Sequence, residues 1–235
     1  MPTPDPRAPR ATRPREPDPR TARPREPLTR ERIIDAAAAV ADESGLDGVS
    51  MRHVGRQLGV EAMSLYHHIA NKEQLLDELA EWVFARFRAP DADAGWRDGI
   101  RDRAASVRAA LTAHPWGLML VESRRAAGEA TLAYHDAVLG NLRRGGFSVA
   151  LAAHAFSLVD AYVYGFVLTE QRLPFESGDN VEEFADELAI AAERYPYMTE
   201  MIGTIVMGQG YDYGDEFEVG LELILDALEA RLAAE

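Results

Sequence analysis

The sequence contains no cysteine, and this absence removes several kinds of chemistry at once. Disulfides, zinc–thiolate sites and iron–sulfur clusters all need cysteine sulfur, so none of them can stabilise this chain. An apolar core must do so instead, and 235 residues of which 47% are hydrophobic suffice to form one. A chain without cysteine also suits a reducing cytosol, so we expect a cytoplasmic protein.

Long hydrophobic runs are also scarce. No run approaches the roughly 20 apolar residues that a membrane-spanning helix needs. The N-terminus likewise lacks the apolar segment of a secretory signal. The sequence therefore predicts a soluble protein with no membrane partner.

Positive charge is in short supply, since the formal net charge is −14. Binding to nucleic acid depends on Lys and Arg, so an acidic chain at first argues against it. The acidic excess, however, lies mostly in residues 76–235, whereas residues 1–27 carry a net positive charge. A local basic face near the N-terminus is therefore still expected to be available.

Proline is rare outside the N-terminal segment, because nine of the 13 prolines lie in residues 1–27. Proline removes backbone donors, and no apolar residues here offset the entropy of ordering the chain. Residues 1–27 are therefore predicted to be a disordered arm rich in proline and arginine. Its arginines either attract phosphate groups or belong to a solvated leader.

Helical periodicity of apolar residues dominates the rest of the chain, and no convincing strand pattern is present. Candidate N-caps are Thr29, Ser50 and Asn71, and Gly45 is a candidate helix end. The predicted fold is all-α, and 203–214 is its least settled stretch. Helices are expected near 28–45, 51–59, 61–68, 71–88, 96–113, 116–123, 128–144, 148–172, 181–194 and 215–234.

Residues 51–68 have the lengths and the glycine turn of a helix-turn-helix motif. Leu65 and Ile69 lie one helical turn apart and are expected to pack inward. Met63 and Tyr66 then face outward, and such exposure is costly without a partner surface. In this motif the second helix enters the major groove of DNA.

The segment GLDGVSMRHVGRQLGVEAMSLYHHIANKEQLLDEL (45–79) resembles the DNA-binding region of TetR-type bacterial repressors. The turn LGV, the helix end LYHH and the helix start NKEQLL carry the resemblance. Segments 146–171 and 216–232 are similar to helices of the tetracycline-repressor subgroup. The resemblance implies a helix-turn-helix DNA-binding domain at 28–75 and a ligand-binding and dimerisation domain at 76–235.

The resemblance also implies contact roles within the helix-turn-helix. Arg52 would reach a phosphate or a guanine edge, and Met63 would touch a thymine methyl group. Tyr66, His67 and Lys72 would hold the phosphate backbone. The full set of expected DNA-binding residues is Ser50, Met51, Arg52, Ala62, Met63, Ser64, Tyr66, His67, His68 and Lys72.

The adjacent His67 and His68 raise metal binding and catalysis as alternatives. Neighbouring helical residues point about 100° apart, and a zinc site needs at least one more protein ligand. The sequence has no HExxH motif, nucleophile elbow, phosphate-binding loop or dinucleotide fingerprint. We therefore expect no metal, no cofactor and no enzymatic activity, with a helical enzyme built on acidic residues as the open alternative.

The resemblance further implies a homodimer with an inducer pocket. Helices near 148–171 and 215–233 would form the interface, although both could be ordinary core helices. Val121 and Thr169 stand where the tetracycline repressor binds magnesium, so tetracycline–magnesium is not the expected inducer. A more apolar ligand is expected, lined by residues that could each instead be plain core: Val107, Val121, Val138 and Phe156, with Arg103 or Asp160 as a polar anchor.

The expected function is that of a ligand-responsive transcriptional repressor, which binds a palindromic double-stranded DNA operator as a homodimer. A small-molecule inducer would release it by shifting the dimer to a state that does not fit DNA. Two alternatives use the same fold: a transcriptional activator, and a small-molecule-binding helical protein that keeps the motif without using it.

Overall fold

The computed structural model describes residues 27–91, 93–123, 128–173, 194–206 and 211–235. The predicted arm lies outside them except for Pro27, as does the predicted helix at 181–194 except for Arg194. Throughout the described ranges the regular secondary structure is helical, which confirms the all-α prediction.

The α-helices follow one another with short connections, and most lie where the apolar periodicity predicts them. A π-helical turn at Ile202–Val206 and a 3-10 turn at Tyr213–Asp215 fall in the stretch that the sequence left unsettled. The helices are α1 (Arg30–Gly48), α2 (Met51–Leu58), α3 (Ala62–Leu65), α4 (Lys72–Phe84), α5 (Trp96–Ala113), α6 (Gly117–Ser123), α7 (Glu129–Arg144), α8 (Val149–Glu170), α9 (Pro196–Met201) and α10 (Glu216–Leu232).

Polar side chains start the helices of the N-terminal part at the predicted residues. Ser50 Oγ accepts a 3.2 Å hydrogen bond from the backbone N–H of His53 at the start of α2. Asn71 Oδ1 accepts a 2.8 Å bond from the N–H of Gln74 at the start of α4. Gln74 Oε1 in turn accepts from the N–H of Ala70, at 2.7 Å. Each of these bonds satisfies a backbone N–H group that has no acceptor within the helix. The starts of α2 and α4 are therefore fixed by neighbouring residues.

The first helix is capped at one end and kinked at the other. Thr29 Oγ1 accepts a hydrogen bond of 3.3 Å from the N–H of Arg32. Gly45 has φ +65°, in the left-handed region that glycine enters without a steric penalty. The regular part of α1 therefore ends at Gly45 as predicted, and the chain resumes a helical path as far as Gly48.

Helix α4 packs against both halves of the molecule. It contacts α1 on one side and α6 and α7 on the other. The C-terminal part is a bundle in which α5 packs on α7 and α8, and α8 packs on α10. The predicted domain boundary at residue 75 falls inside α4, so this helix links the two parts without a break.

Polar contacts also join α1 to the corner between α5 and α6. Asp42 Oδ1 accepts a 2.6 Å hydrogen bond from the indole Nε1 of Trp116. The same oxygen lies 2.8 Å from His114 Nδ1. These contacts fix the end of α1 against the C-terminal bundle.

One helix bears on the expectation that the protein has no membrane partner. By length and composition alone, α8 is long and apolar enough to cross a membrane, although only this one helix of the described residues is. The sequence shows no long apolar run here, because His154 and Asp160 interrupt the apolar residues of α8. One face of α8 is buried against the bundle, and a core helix passes the same test of composition.

Candidate DNA interface and ligand site

A tight turn sets the angle between α2 and α3. Gly59 ends α2 with φ +67°, a left-handed conformation that closes the turn. The N–H of Val60 donates a 2.9 Å hydrogen bond to the carbonyl of Gly55. A Cβ atom on Gly55 would lie 3.0 Å from the oxygen of Val60, so glycine there lets the two helices approach closely.

The inner side of this helix pair is fully buried. Val54, Leu65 and Ile69 each have 0% of their surface exposed. This packing agrees with the sequence expectation and leaves the opposite side of α3 to solvent. The observed α3 is shorter than predicted, because the N–H groups of His68 and Ile69 both bond to the carbonyl of Leu65 in a closing turn.

The outer side of α3 carries apolar and polar side chains that are open to solvent. Met63 is 71% exposed and Tyr66 is 45% exposed. Of the other expected DNA-binding residues, Ser50, Ala62 and Ser64 are half-buried. The remaining ones are exposed: Arg52, His67, His68 and Lys72.

Met51 does not belong to this surface. Its side chain is only 6% exposed and is part of the apolar core, together with Val54 one turn further along α2. The expected DNA contact for Met51 is therefore corrected to a packing role. The sequence-based expectation was wrong because it assigned every residue at the start of α2 to DNA contact, although one of them packs inward and anchors the helix.

The two adjacent histidines, His67 and His68, were the candidates for metal binding. Within the ranges that the structure describes, no group of three or more His, Asp or Glu side chains is placed to hold a metal ion. Both His67 and His68 are exposed in the turn that closes α3. Their position beside Tyr66 makes them part of the same outward-facing surface.

In the C-terminal bundle, a buried arginine joins three helices. Arg103 on α5 is 1% exposed, and its Nη2 forms an ion pair with Asp160 on α8. Its Nε donates a 2.8 Å hydrogen bond to the hydroxyl of Tyr134 on α7. Its Nη1 atom is buried and has no hydrogen-bond partner among the residues that the structure describes. The two predicted polar anchors, Arg103 and Asp160, are therefore partners of each other.

Apolar and aromatic side chains surround this pair. The Arg103 guanidinium carbon lies 5.4 Å from the ring centroid of Phe156 and 5.5 Å from that of Tyr134. Val107 and Val138 are fully buried one turn away from Arg103 and Tyr134, and Val121 is half-buried on α6. Each of the predicted lining residues thus lies in or against one continuous core.

Burial shifts the pKa values of three polar groups of this site. It raises the pKa of Tyr134 to about 12, so the phenol is a neutral hydrogen-bond donor. Burial also raises the pKa of Asp160, while the facing Arg103 opposes that shift. Burial lowers the pKa of His135, so the imidazole favours its uncharged form.

Tyr134 and His135 were missed in the sequence. Tyr134 precedes Val138 by four residues, so the same helical face that predicted Val138 would have predicted it. His135 packs edge-on against Phe156 and Phe84, with ring centroids 5.1 and 5.5 Å apart. The signal for His135 is weaker, because its ring contacts with other helices come from α4 and α8, which the sequence does not show to be neighbours.

A cavity of about 610 Å³ lies elsewhere, between α5, α8 and α10, and the sequence did not predict it. Arg108 spans its wall and forms a two-point ion pair with Glu170. Arg101 is likewise paired with Glu222, through a 2.6 Å bond from its Nε. Both arginines on this cavity's wall are thus already paired with carboxylates.

The N-terminal half presents an exposed recognition helix, and α4 joins this half to a bundle that has a buried polar site. This combination defines a helix-turn-helix regulator. Comparison with known proteins agrees. The sequence model described as "Bacterial regulatory proteins, tetR family" matches residues 33–79, and "Tetracyclin repressor-like, C-terminal domain" matches residues 89–232. The chain belongs to the TetR family of transcriptional regulators.

Individual relatives cover almost the whole chain. It is 32% identical to the HTH-type transcriptional repressor DrrR1 of Streptomyces coeruleorubidus, over 88% of this chain and 79% of that protein. It is also 32% identical to the class C tetracycline repressor protein of Escherichia coli, over 86% and 91% of the two chains. These relatives are transcriptional regulators rather than enzymes, which confirms that prediction.

Solved structures show the same fold. Apo ActR from Streptomyces coelicolor superposes with a TM-score of 0.75 at 27% identity, over 89% of this chain and 98% of ActR. ActR in complex with actinorhodin gives a TM-score of 0.73 at 28% identity, over 88% and 99% of the two chains. This chain and ActR therefore share the arrangement of a helix-turn-helix beside a larger helical bundle.

Proposed function

We propose that this protein is a ligand-responsive repressor, which binds a palindromic DNA operator as a homodimer and is released by a small-molecule inducer. It would act in the cytoplasm, where its DNA target lies. One observation carries the proposal most directly, namely the large outward exposure of Met63 and Tyr66 on a short helix held rigidly from behind. A surface of this kind is costly in water and suits contact with DNA.

Sequence would be read by the first residues of α3. Ala62 and Met63 offer methyl groups to thymine, and Ser64 can bond to a base edge or a phosphate. Arg52, at the start of α2, can reach a phosphate or a guanine. These residues specify the operator, whereas the next group positions the protein on it.

The phosphate backbone would be held by Tyr66, His67 and Lys72, with His68 as a further contact. Lys72 is the first residue of α4, and it is exposed. Its ammonium group adds a full charge to the amide donors that point out of that helix end. An overall charge of −14 does not prevent this, because the acidic residues lie mainly in the C-terminal part.

The dimer would form through α8 and α10. Each carries an exposed apolar stripe on the side that the bundle does not cover. Leu158 is 47% exposed on α8, while Val219 and Leu223 on α10 are 57% and 66% exposed. Small residues continue both stripes, so a second copy could pack closely there: Ala153, Ala161 and Gly165 on α8, and Ala227 and Ala230 on α10.

The inducer would bind within the core formed by α5 to α8, where Arg103 and Asp160 lie. Relatives of this fold have been solved with ligands, namely ActR with actinorhodin and a TetR variant from Acinetobacter baumannii with minocycline. A tetracycline–magnesium inducer does not fit this chain. Val121 has no ligand atom, and the Thr169 hydroxyl donates a 2.9 Å bond to the carbonyl of Gly165.

A chain of aromatic rings could carry the effect of a ligand to the DNA-binding half. Tyr134 lies beside Phe87, with ring centroids 5.5 Å apart, and Phe87 lies 5.2 Å from Phe84 on α4. A ligand that moves Tyr134 would therefore displace α4, the helix that follows α3 in the chain. Such a shift would change the spacing of the two recognition helices in the dimer.

The test is binding of the protein to the DNA upstream of its own gene, measured by fluorescence anisotropy over a series of salt concentrations. Lys72→Ala should weaken binding and lower the slope of log K against log salt by about two, since each protomer of the dimer loses one phosphate contact. Tyr66→Ala should weaken binding as well. Arg231→Ala on α10 removes the same charge far from α3 and should leave the slope unchanged. Failure of the wild-type protein to bind this DNA or any member of a randomised operator library would refute the proposal.

A further inference from the structure

We propose that the site around Arg103 selects an aromatic ligand that presents an uncharged oxygen acceptor, such as a ring carbonyl, to Nη1 of that arginine. This inference rests on the proposed ligand-binding function and specifies the chemical class of the inducer. It goes beyond an apolar pocket, because it assigns one hydrogen bond to one atom.

The unpartnered nitrogen is the first part of the argument. A guanidinium carries five N–H groups, and buried donors of this kind almost always find an acceptor. Arg103 is 1% exposed, with Nε bonded to Tyr134 and Nη2 bonded to Asp160. Nη1 alone has no partner in the described part of the chain. A ligand oxygen that accepts from Nη1 would remove the cost of leaving that donor unsatisfied.

The charge balance of the site decides the kind of acceptor. Asp160 already supplies one carboxylate to Arg103, so the pair has no net charge. A ligand carboxylate would place a second anion beside Asp160 in a site of low polarity, which is unfavourable. A carbonyl or phenol oxygen accepts the same bond without adding charge. Tyr134 stays protonated and can donate to a second oxygen of the ligand.

The aromatic side chains around the site determine which ring system of a ligand can bind there. Phe156 and Tyr134 flank the guanidinium, and His135 lies between them with ring centroids 5.1 and 5.9 Å away. Phe84 extends the same set of rings, 5.5 Å from His135. Aromatic side chains at these spacings favour edge and offset contacts with another flat ring. A planar aromatic ligand would therefore fit by replacing contacts that the rings now make with each other.

The 610 Å³ cavity between α5, α8 and α10 provides a contrast. Its Arg108 lies over two rings, 4.8 Å from the centroid of Phe217 and 5.1 Å from that of Phe166. Nε and Nη2 of Arg108 both donate to the carboxylate of Glu170. Arg108 therefore resembles Arg103 in having a carboxylate partner and neighbouring rings. Unlike Arg103, it has no nitrogen that is buried without a partner in the described part of the chain. Arg108 and Glu170 therefore make a matched control pair on the same helices.

The experiment uses ligand pairs that differ only in the acceptor. Titration calorimetry on the full-length protein would compare xanthone with xanthene, anthrone with 9,10-dihydroanthracene, and 1-tetralone with tetralin. We expect at least one ketone to bind about tenfold or more tightly than its hydrocarbon partner, the size of one well-formed buried hydrogen bond. Xanthone-4-carboxylic acid should bind more weakly than xanthone.

Variants then locate the bond. Arg103→Met combined with Asp160→Leu removes every N–H donor of the pair without leaving a buried charge, and it should abolish the preference for the ketone. Arg108→Gln combined with Glu170→Gln should retain the preference. Circular dichroism melting and operator binding would establish that each double variant is folded. The comparison of ligand pairs in the wild-type protein does not depend on either variant.

The outcomes separate this inference from the proposed function. If no ketone binds more tightly than its hydrocarbon partner, including the case in which neither binds, the inference is wrong. Stronger binding of the carboxylic acid, or a ketone preference that survives in the Arg103/Asp160 variant, would also contradict it. Operator binding by the wild-type protein in the same preparation shows that the proposed function stands even then, whereas loss of operator binding would contradict that function separately.

Discussion

The indole Nε1 of Trp82 donates a 2.8 Å hydrogen bond to Oδ1 of Asp35, which links α4 to α1 across 47 residues of sequence. The guanidinium of Arg86 lies over the same indole ring. Because α1 belongs to the DNA-binding half and α4 continues into the bundle, this bond helps set the orientation of α3 relative to the ligand site.

Trp82→Phe keeps an aromatic ring for Arg86 but removes the N–H donor. We expect the free energy of unfolding to fall by roughly 0.5–1.5 kcal/mol, the value of one hydrogen bond. Urea denaturation of Trp82→Phe, Asp35→Ala and the double variant would measure the pairwise coupling. A coupling energy near zero would show that this bond contributes nothing to the interface between the halves.

Met63→Ala should change DNA recognition without changing stability. Met63 is 71% exposed, so its loss should alter the free energy of unfolding by no more than about 0.5 kcal/mol. Operator affinity should fall most for sites that place a thymine methyl group opposite α3, and this can be measured with a set of single-base operator variants. Leu65→Ala is the counterpart on the buried side, where a loss of about 2–5 kcal/mol in stability is expected. Equal weakening across all operator variants by Met63→Ala would contradict a base-reading role.

Leu223→Asp should dissociate the proposed dimer. Leu223 is 66% exposed in the monomer, and a carboxylate there would be buried without a partner if α10 packs against a second copy. Sedimentation velocity at micromolar concentration should show a monomer with an unchanged circular dichroism spectrum. Leu132→Asp on α7, at a residue that is 58% exposed, should remain a dimer. If Leu223→Asp also remains dimeric, the interface lies on another face.

Glu222 should make a pH-dependent contribution to stability. Its carboxylate accepts hydrogen bonds from Arg97 Nη2 at 2.7 Å and from Arg101 Nε at 2.6 Å, which hold its pKa at about 2 instead of 4.5. Because the folded pKa is the lower one, the stabilisation is complete above about pH 4.5 and disappears as the pH falls towards 2.

Glu222→Gln should therefore differ from the wild type in urea denaturation at pH 6 and converge with it near pH 2. The groups are partly exposed, so we expect a difference below about 1 kcal/mol. Glu218→Gln, one turn earlier on α10, serves as the control. A stability difference between wild type and Glu222→Gln that stays constant across this pH range would contradict the role of the ion pair.

Local features of the fold could be predicted from the sequence, since they depend on neighbouring residues. Thr29, Ser50 and Asn71 each accept the hydrogen bond that a helix start requires, and Gly45 bends α1 where a glycine was expected to end it. The inward side of α3 follows from its spacing, because Leu65 and Ile69 lie one turn apart. These predictions needed no knowledge of distant contacts.

Long-range features could be predicted only in part. The pairing of Arg103 with Asp160 depends on how α5 and α8 cross, and the sequence offered the two residues as alternatives rather than partners. Tyr134 enters the site because α7 packs beside both helices. The burial of Met51 is of the same kind, since the core cluster to which it belongs is assembled from several helices.

The continuity of α4 limits how this regulator can be rebuilt. Its residues Lys72–Phe84 begin shortly after the recognition helix in the chain and end among the rings that flank the ligand site. A chimera joined at residue 75 would divide one packed helix between two parents, and neither parent's contacts to it would be complete. A junction in the segment after Phe87, before α5 begins at Trp96, would transfer α4 whole together with its hydrogen bond to Asp35, and with it the DNA specificity of this protein.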